Sequence, residues 1–287
     1  MDLDGALARV SKLEYPPPRG FVSHAPMACE ALDVLGRSAD LEAWVDNSEA
    51  HLQLERPPAP SQWGPGFAWE EELGRSEVLP QWMGYFSEAL EREGWEDTVT
   101  MWVPRLMPGL SAALFHGVIR TSHAVRALTR DETPARRDEL ARALAHWAIW
   151  FRPGEAVERT GEGDDPRRGA LVAASHGVGH FVIEPNIVNL HGVTGAMAVH
   201  LLSAHLSEDD ASDAAEQLRA EHRALYGERA RPAPPAEDAS WDDGPVAVAA
   251  GSFDPHQVKM VEVCRRGFIS TGDPRFVHAA RLVTHLT

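Results

Sequence analysis

Apolar residues recur at helical intervals wherever this chain shows a clear pattern, and that periodicity limits the possible architecture more than any motif does. Leu110, Leu114, Val118, Val125 and Leu128 are spaced as one helix face between residues 109 and 130, and the alanine- and leucine-rich run 135 to 151 repeats the pattern. The same reading predicts helices near 26–36, 40–54, 79–93, 98–105, 168–182, 194–206, 209–226, 255–270 and 273–286. No alternating segment of useful length interrupts them, so a sheet is not expected. Breakers at Pro16 to Pro18, Pro57 to Gly66, Pro153 to Arg168 and Glu228 to Pro245 read as loops, the last as a lid or connector near 228–246. The stretch after it is too short to fold alone, so residues 1–287 are expected to form one all-α, multi-helix globular domain.

Composition narrows the partners. A formal net charge of −16 argues against nucleic acid and anionic membranes, both of which need clustered cations. Cys29 and Cys264 lie far apart and form no metal or redox spacing. No basic leader precedes an apolar run, and no apolar stretch is read as long enough to cross a bilayer, so the expected location is cytoplasmic. The chain has no dinucleotide fingerprint, no phosphate loop and no nucleophile elbow. Its nine tryptophans read first as core, although they would also suit a pocket for a flat aromatic ligand.

The chemistry-bearing residues are histidine and one lysine. Several of the fourteen histidines sit inside apolar helices, where an imidazolium would be costly, so some must be buried and neutral. Neutral imidazole is the commonest transition-metal ligand. His24 precedes a helix, His191 sits near the start of one among glycines, and His116 shares a polar helix face with Arg120 and His123. His176 and His180 have the spacing of a helical zinc pair, but Gly177 stands where a zinc protease carries its glutamate. His200, His205, His222, His278 and His285 read as surface positions or as neighbours that support ligand residues.

Of 27 basic side chains only Lys12 and Lys259 are lysine. A lysine between Val258 and Met260, in a chain that otherwise writes arginine, suggests a need for an amine that can lose its charge. With Asp254 as N-cap and Pro255 as the first helical residue, His256 and Lys259 fall one turn apart on one face and can share a ligand or a metal ion.

Four segments together resemble the questin oxidase-like family, fungal enzymes that oxygenate and open anthraquinone rings, with many actinomycete relatives. They are Ser23-His24 with Ala31-Leu32 and Leu35-Gly36 behind it, Phe115-His116-Gly-Val-Ile119-Arg120, Leu190-His191-Gly-Val-Thr194, and His256-Gln-Val-Lys259. The resemblance runs from about residue 20 to 282 and implies a non-haem Fe(II) oxygenase with a metal site between helices. His24, His116, His191, His256 and a carboxylated Lys259 would be its ligands. It further implies an electron-rich polycyclic aromatic and O2 as substrates, oxidative C–C cleavage in secondary metabolism, and no 2-oxoglutarate. Arg120 and His123, which stand where fungal members carry other side chains, are candidates for orienting an oxyanion or moving a proton. The alternatives are an NADPH-dependent Baeyer-Villiger-type monooxygenase, a non-catalytic helical protein that binds an aromatic metabolite, and a zinc hydrolase centred on His176 and His180.

Overall fold

Proline and a short oxygen-bearing side chain start many of the helices. Thr133-Pro134, Asp165-Pro166, Asp254-Pro255 and Asp273-Pro274 each place an accepting side chain at the N-cap and a proline in the first turn. The proline's missing N–H costs nothing there, and the cap oxygen satisfies one of the free N–H groups. The computed structural model describes residues 1–12, 14, 22–51, 55–64, 66–154, 165–227 and 239–285. Among these the α-helices are α1 (Leu3–Val10), α2 (Ala25–Val34), α3 (Leu41–His51), α4 (Trp69–Glu72), α5 (Leu79–Glu93), α6 (Trp95–Leu106), α7 (His116–Arg130) and α8 (Pro134–Trp150). They continue with α9 (Pro166–Ile183), α10 (Ile187–Leu202), α11 (Glu208–Tyr226), α12 (Gly244–Ser252), α13 (Pro255–Thr271) and α14 (Pro274–Val283). The only extended pairing among the described residues is an isolated bridge between Glu14 and Glu55, so the fold is all-α.

Three expectations shift. The helix expected from 194 starts at Ile187, because Asn186 caps it through the Asn189 amide (2.8 Å) and the run continues straight through Gly192 and Gly195. The helix expected across 109–130 starts only at His116. The end of the expected 228–246 loop is already helical, with Pro245 in the first turn of α12. Residues 228–238, Pro16 to Pro18, and the ends of the expected 40–54 and 273–286 helices lie outside the described residues.

One hydrophobic core runs from Leu3 on α1 to Val283 on α14. Trp82 and Trp102 are fully buried in it and pack edge-to-face on each other (5.4 Å) with Trp63, Phe67, Trp69, Tyr85 and Phe86 around them. Trp82, Trp102 and Phe86 belong to the core itself, with Trp63, Phe67, Trp69 and Tyr85 partly buried against it. The segment Ile187–His205 is long and apolar enough by length and composition to cross a membrane, contrary to the expectation, and 72% of it is buried inside the fold. It is the central helix against which α7, α9, α11 and α13 pack.

Candidate metal centre

His24, His116, His191 and His256 come from four separate helices to one point, with one ligand atom from each lying within 4.8 Å of the others. Each sits at a helix beginning. His24 is the N-cap residue of α2, His116 opens α7, His256 is the second residue of α13, and His191 lies in the first turns of α10. A helix start presents unpaired N–H groups and the positive end of the backbone dipole, so this arrangement disfavours imidazolium and favours neutral imidazole.

The backbone fixes the rings. His191 Nδ1 faces the Ile187 carbonyl at 2.7 Å, and His116 Nδ1 faces the Ala113 carbonyl. A carbonyl only accepts, so Nδ1 of each ring carries the proton and Nε2 carries a lone pair. His116 Nε2 lies 3.2 Å from His191 Nε2 and 2.7 Å from His24 Nε2. Two lone pairs facing each other at 3.2 Å repel unless a cation lies between them. Donors about 2.0–2.1 Å from one ion and 90–109° apart are separated by about 2.9–3.4 Å, so the His116–His191 pair fits a shared metal ion. Asp254 Oδ1 caps the His256 amide at 2.8 Å and lies 3.5 Å from its Nδ1.

The turn before His116 is strained. Ala113, Leu114 and Phe115 all have positive φ (50°, 55° and 63°), a region that residues with a Cβ enter at a penalty of about 1–2 kcal/mol each. This left-handed run aims the Ala113 carbonyl at the His116 ring, and strain of this kind gathers at functional sites. Close helix packing completes the geometry. A Cβ on Gly117 would meet the Trp147 ring at 2.4 Å, and one on Gly192 would meet the Tyr226 hydroxyl at 2.0 Å, so glycine follows both His116 and His191.

Lys259 lies buried within electrostatic reach of the same cluster. It is 1% exposed, its Nζ has no hydrogen-bond partner, and its charge acts on His24, His116 and His191. Burial pushes the lysine down to about 7, against a small opposing pull from Asp254. Burial, followed by the neighbouring Lys259 charge, pushes His116 down to about 3, His191 down to about 2 and His24 well below the ordinary range. His24, His116, His191 and Lys259 therefore all resist positive charge, which suits metal ligands. His116 and His191 are buried, whereas His24 and His256 are partly exposed, so the cluster opens to solvent on their side.

Arg120 and His123 are both engaged by buried carboxylates. All three guanidinium nitrogens of Arg120 donate to carboxylates, two to Glu139 (2.7 and 2.9 Å) and one to Glu14 (2.9 Å). Burial would raise the Glu14 carboxyl, but Arg120 and His146 outweigh it and hold Glu14 well below the usual range. Glu14 also accepts from the Ser23 amide at 2.8 Å, which anchors the residue next to His24. His123 Nδ1 lies 2.6 Å from Glu30 on α2, and Arg126 bridges Glu30 to Glu262, one turn after Lys259 on α13. Two buried ion networks thus tie α7 to the segments that carry His24, His256 and Lys259. The sequence reading missed them. The available signal was Glu30 and Glu262 within apolar helices, where an ionised side chain needs a partner.

His176 and His180 pair on α9, apart from the four-histidine cluster. Of the two places expected for His222, the surface is excluded: it is buried (5% exposed), with its Nε2 3.2 Å from the carbonyl of Gly192, the residue after His191. Cys29 and Cys264 are buried free thiols on α2 and α13. A comparison with protein-family models finds no match to the chain, and neither does one with curated proteins.

Proposed function

We propose that the protein is a non-haem iron oxygenase, of the questin oxidase-like type, acting on an electron-rich polycyclic aromatic by oxidative C–C cleavage. The observation that carries the reading is the convergence of four imidazoles beside a buried, unpartnered amine. Imidazole suits iron, zinc and copper alike, so the reading of iron rests on the resemblance and on what Lys259 can become. A neutral amine adds carbon dioxide, its nitrogen forming a bond to carbon and releasing a proton, and the product is an anionic oxygen donor. An imidazole that binds a metal brings no charge and four helix starts are positive, so a dication there needs such an anion. Bound Fe(II) would supply a redox-active Lewis acid through which an electron-rich aromatic and dioxygen can react.

The chain's own residues then have definite tasks. His24, His116, His191 and His256 offer Nε2 or Nδ1 lone pairs, the Ala113 and Ile187 carbonyls hold two of the rings, and the carbamate on Lys259 balances charge. Glu14 with Arg120, and Glu30 with Arg126 and Glu262, hold the ligand helices in place. Exposed apolar residues stand near two of the ligands in sequence. Ile187 (46% exposed) lies one turn before His191, and Phe253 (39% exposed) lies three residues before His256. That suits an apolar, flat substrate.

Oxygen uptake by the Fe(II)-loaded protein with a reduced polycyclic phenol such as an anthrahydroquinone tests the reading. Consumption without NADPH is expected, with loss in His116→Ala. Uptake that strictly requires NADPH would favour the monooxygenase alternative. Tight binding of the aromatic with no uptake at all would leave a metabolite-binding protein.

A further inference from the structure

We propose a second metal site, built on α9, in which His176 and His180 chelate a late first-row divalent ion of the zinc or copper class. The two residues are one helical turn apart, and their Nε2 atoms are 3.3 Å from each other. Two imidazole nitrogens about 2.0–2.1 Å from a tetrahedral ion are separated by about 3.3 Å, so the side chains already stand at chelating distance. In the metal-free protein the same separation serves a hydrogen bond between the rings. Moving the donating ring's proton from Nε2 to Nδ1 frees both lone pairs for the ion, with no net proton released.

The pair is braced from α11. Tyr226 stacks on His180, with ring centroids 4.3 Å apart and planes 5° apart, and meets His176 edge-on at 5.5 Å. His222 also meets the tyrosine ring edge-on, at 5.2 Å. Such support fixes the rotamers before an ion arrives, which lowers the ordering entropy of binding.

A separate observation points to a ligand. The Tyr226 hydroxyl is in a side chain only 2% exposed and has no hydrogen-bond partner, and His222 Nδ1, in a side chain 5% exposed, is likewise unpartnered. Buried polar atoms are nearly always satisfied, so orphans beside a histidine pair call for a species not made of protein. The hydroxyl lies against Gly177, between the two histidines in sequence, where an added Cβ would come within 3.3 Å of it. Partly exposed His176 leaves the remaining coordination positions to water. Gly177 removes the glutamate base of a zinc protease, so the inference is a binding site and not a hydrolase. Imidazole donors select zinc, copper or nickel over magnesium and calcium. The site shares no ligand with the four-histidine centre, although Gly192, which the Tyr226 hydroxyl touches, directly follows His191.

Zinc titration of the full-length metal-free protein against a chromophoric chelator tests this. Wild type is expected to bind two equivalents, His176→Asn to lose one, and His116→Asn to lose the other. Equal stoichiometry in wild type and a folded His176→Asn overturns the second site, whatever happens at the first. A single wild-type equivalent that His176→Asn abolishes would support this site while counting against the four-histidine centre. Should His176→Asn not fold, histidine carbethoxylation of wild type mapped by peptide mass spectrometry decides. Zinc is expected to shield His176, and equal modification with and without zinc overturns the proposal.

Discussion

Lys259 is the residue whose chemistry most depends on its surroundings. Its Nζ is buried without a hydrogen-bond partner, and an orphaned buried donor costs a fold about 1–3 kcal/mol. Lys259→Met keeps the stem and removes the amine, so it is expected to raise the stability of the metal-free protein by about that amount while weakening metal retention. Denaturant melts beside metal analysis check both halves; a structural lysine would show neither pattern. The scarcity of lysine made this position legible in the sequence, because a buried amine is the one job arginine cannot do. The partners of Arg120 and His123 were not legible, since Glu14 is 106 residues from Arg120 and Glu30 is 93 from His123. A second expectation concerns acid. The unfolded chain takes up protons at His116 and His191 near pH 6.5, while the folded chain refuses them until about pH 3 and about pH 2. The unfolded state therefore binds more protons across that window, and stability falls as pH falls, by about 1.4 kcal/mol per pH unit for each histidine. Urea melts of the metal-free protein between pH 6.5 and 4 should show this slope, and His191→Asn should lower it by one proton.

At the scale of elements, α7 holds the centre together. It begins with His116 and carries Arg120, His123 and Arg126, which reach Glu14, Glu30, Glu139 and Glu262 on other segments. Removing one partner of a buried ion pair strands the others, so Arg120→Met is expected to destabilise the fold by about 3–5 kcal/mol. Thermal or urea unfolding measures it, and a loss of turnover with unchanged stability would instead assign Arg120 to the reaction. Helix positions were mostly readable from apolar period and caps, as at Leu79–Glu93 and Pro255–Thr271. Where they were not, glycine or proline misled. Gly192 and Gly195 resemble breakers, yet they are places where another side chain packs onto α10, and the strained turn at Ala113 to Phe115 has no glycine to announce it.

For the whole molecule, a metal ion at this point would join α2, α7, α10 and α13, helices that begin between residues 25 and 255 and share one core. Ligands that bind only the folded state stabilise it by mass action, about 4 kcal/mol at a free concentration 1,000 times the dissociation constant. Fe(II) or Zn2+ is therefore expected to raise the melting temperature, and a chelator to reverse the rise. Elemental analysis of anaerobically purified wild type beside Lys259→Ala and His256→Ala tests the five-ligand site. Iron near one equivalent in wild type, lost in both variants, is the predicted result. No transition metal in wild type, and none regained on adding Fe(II), would contradict the account.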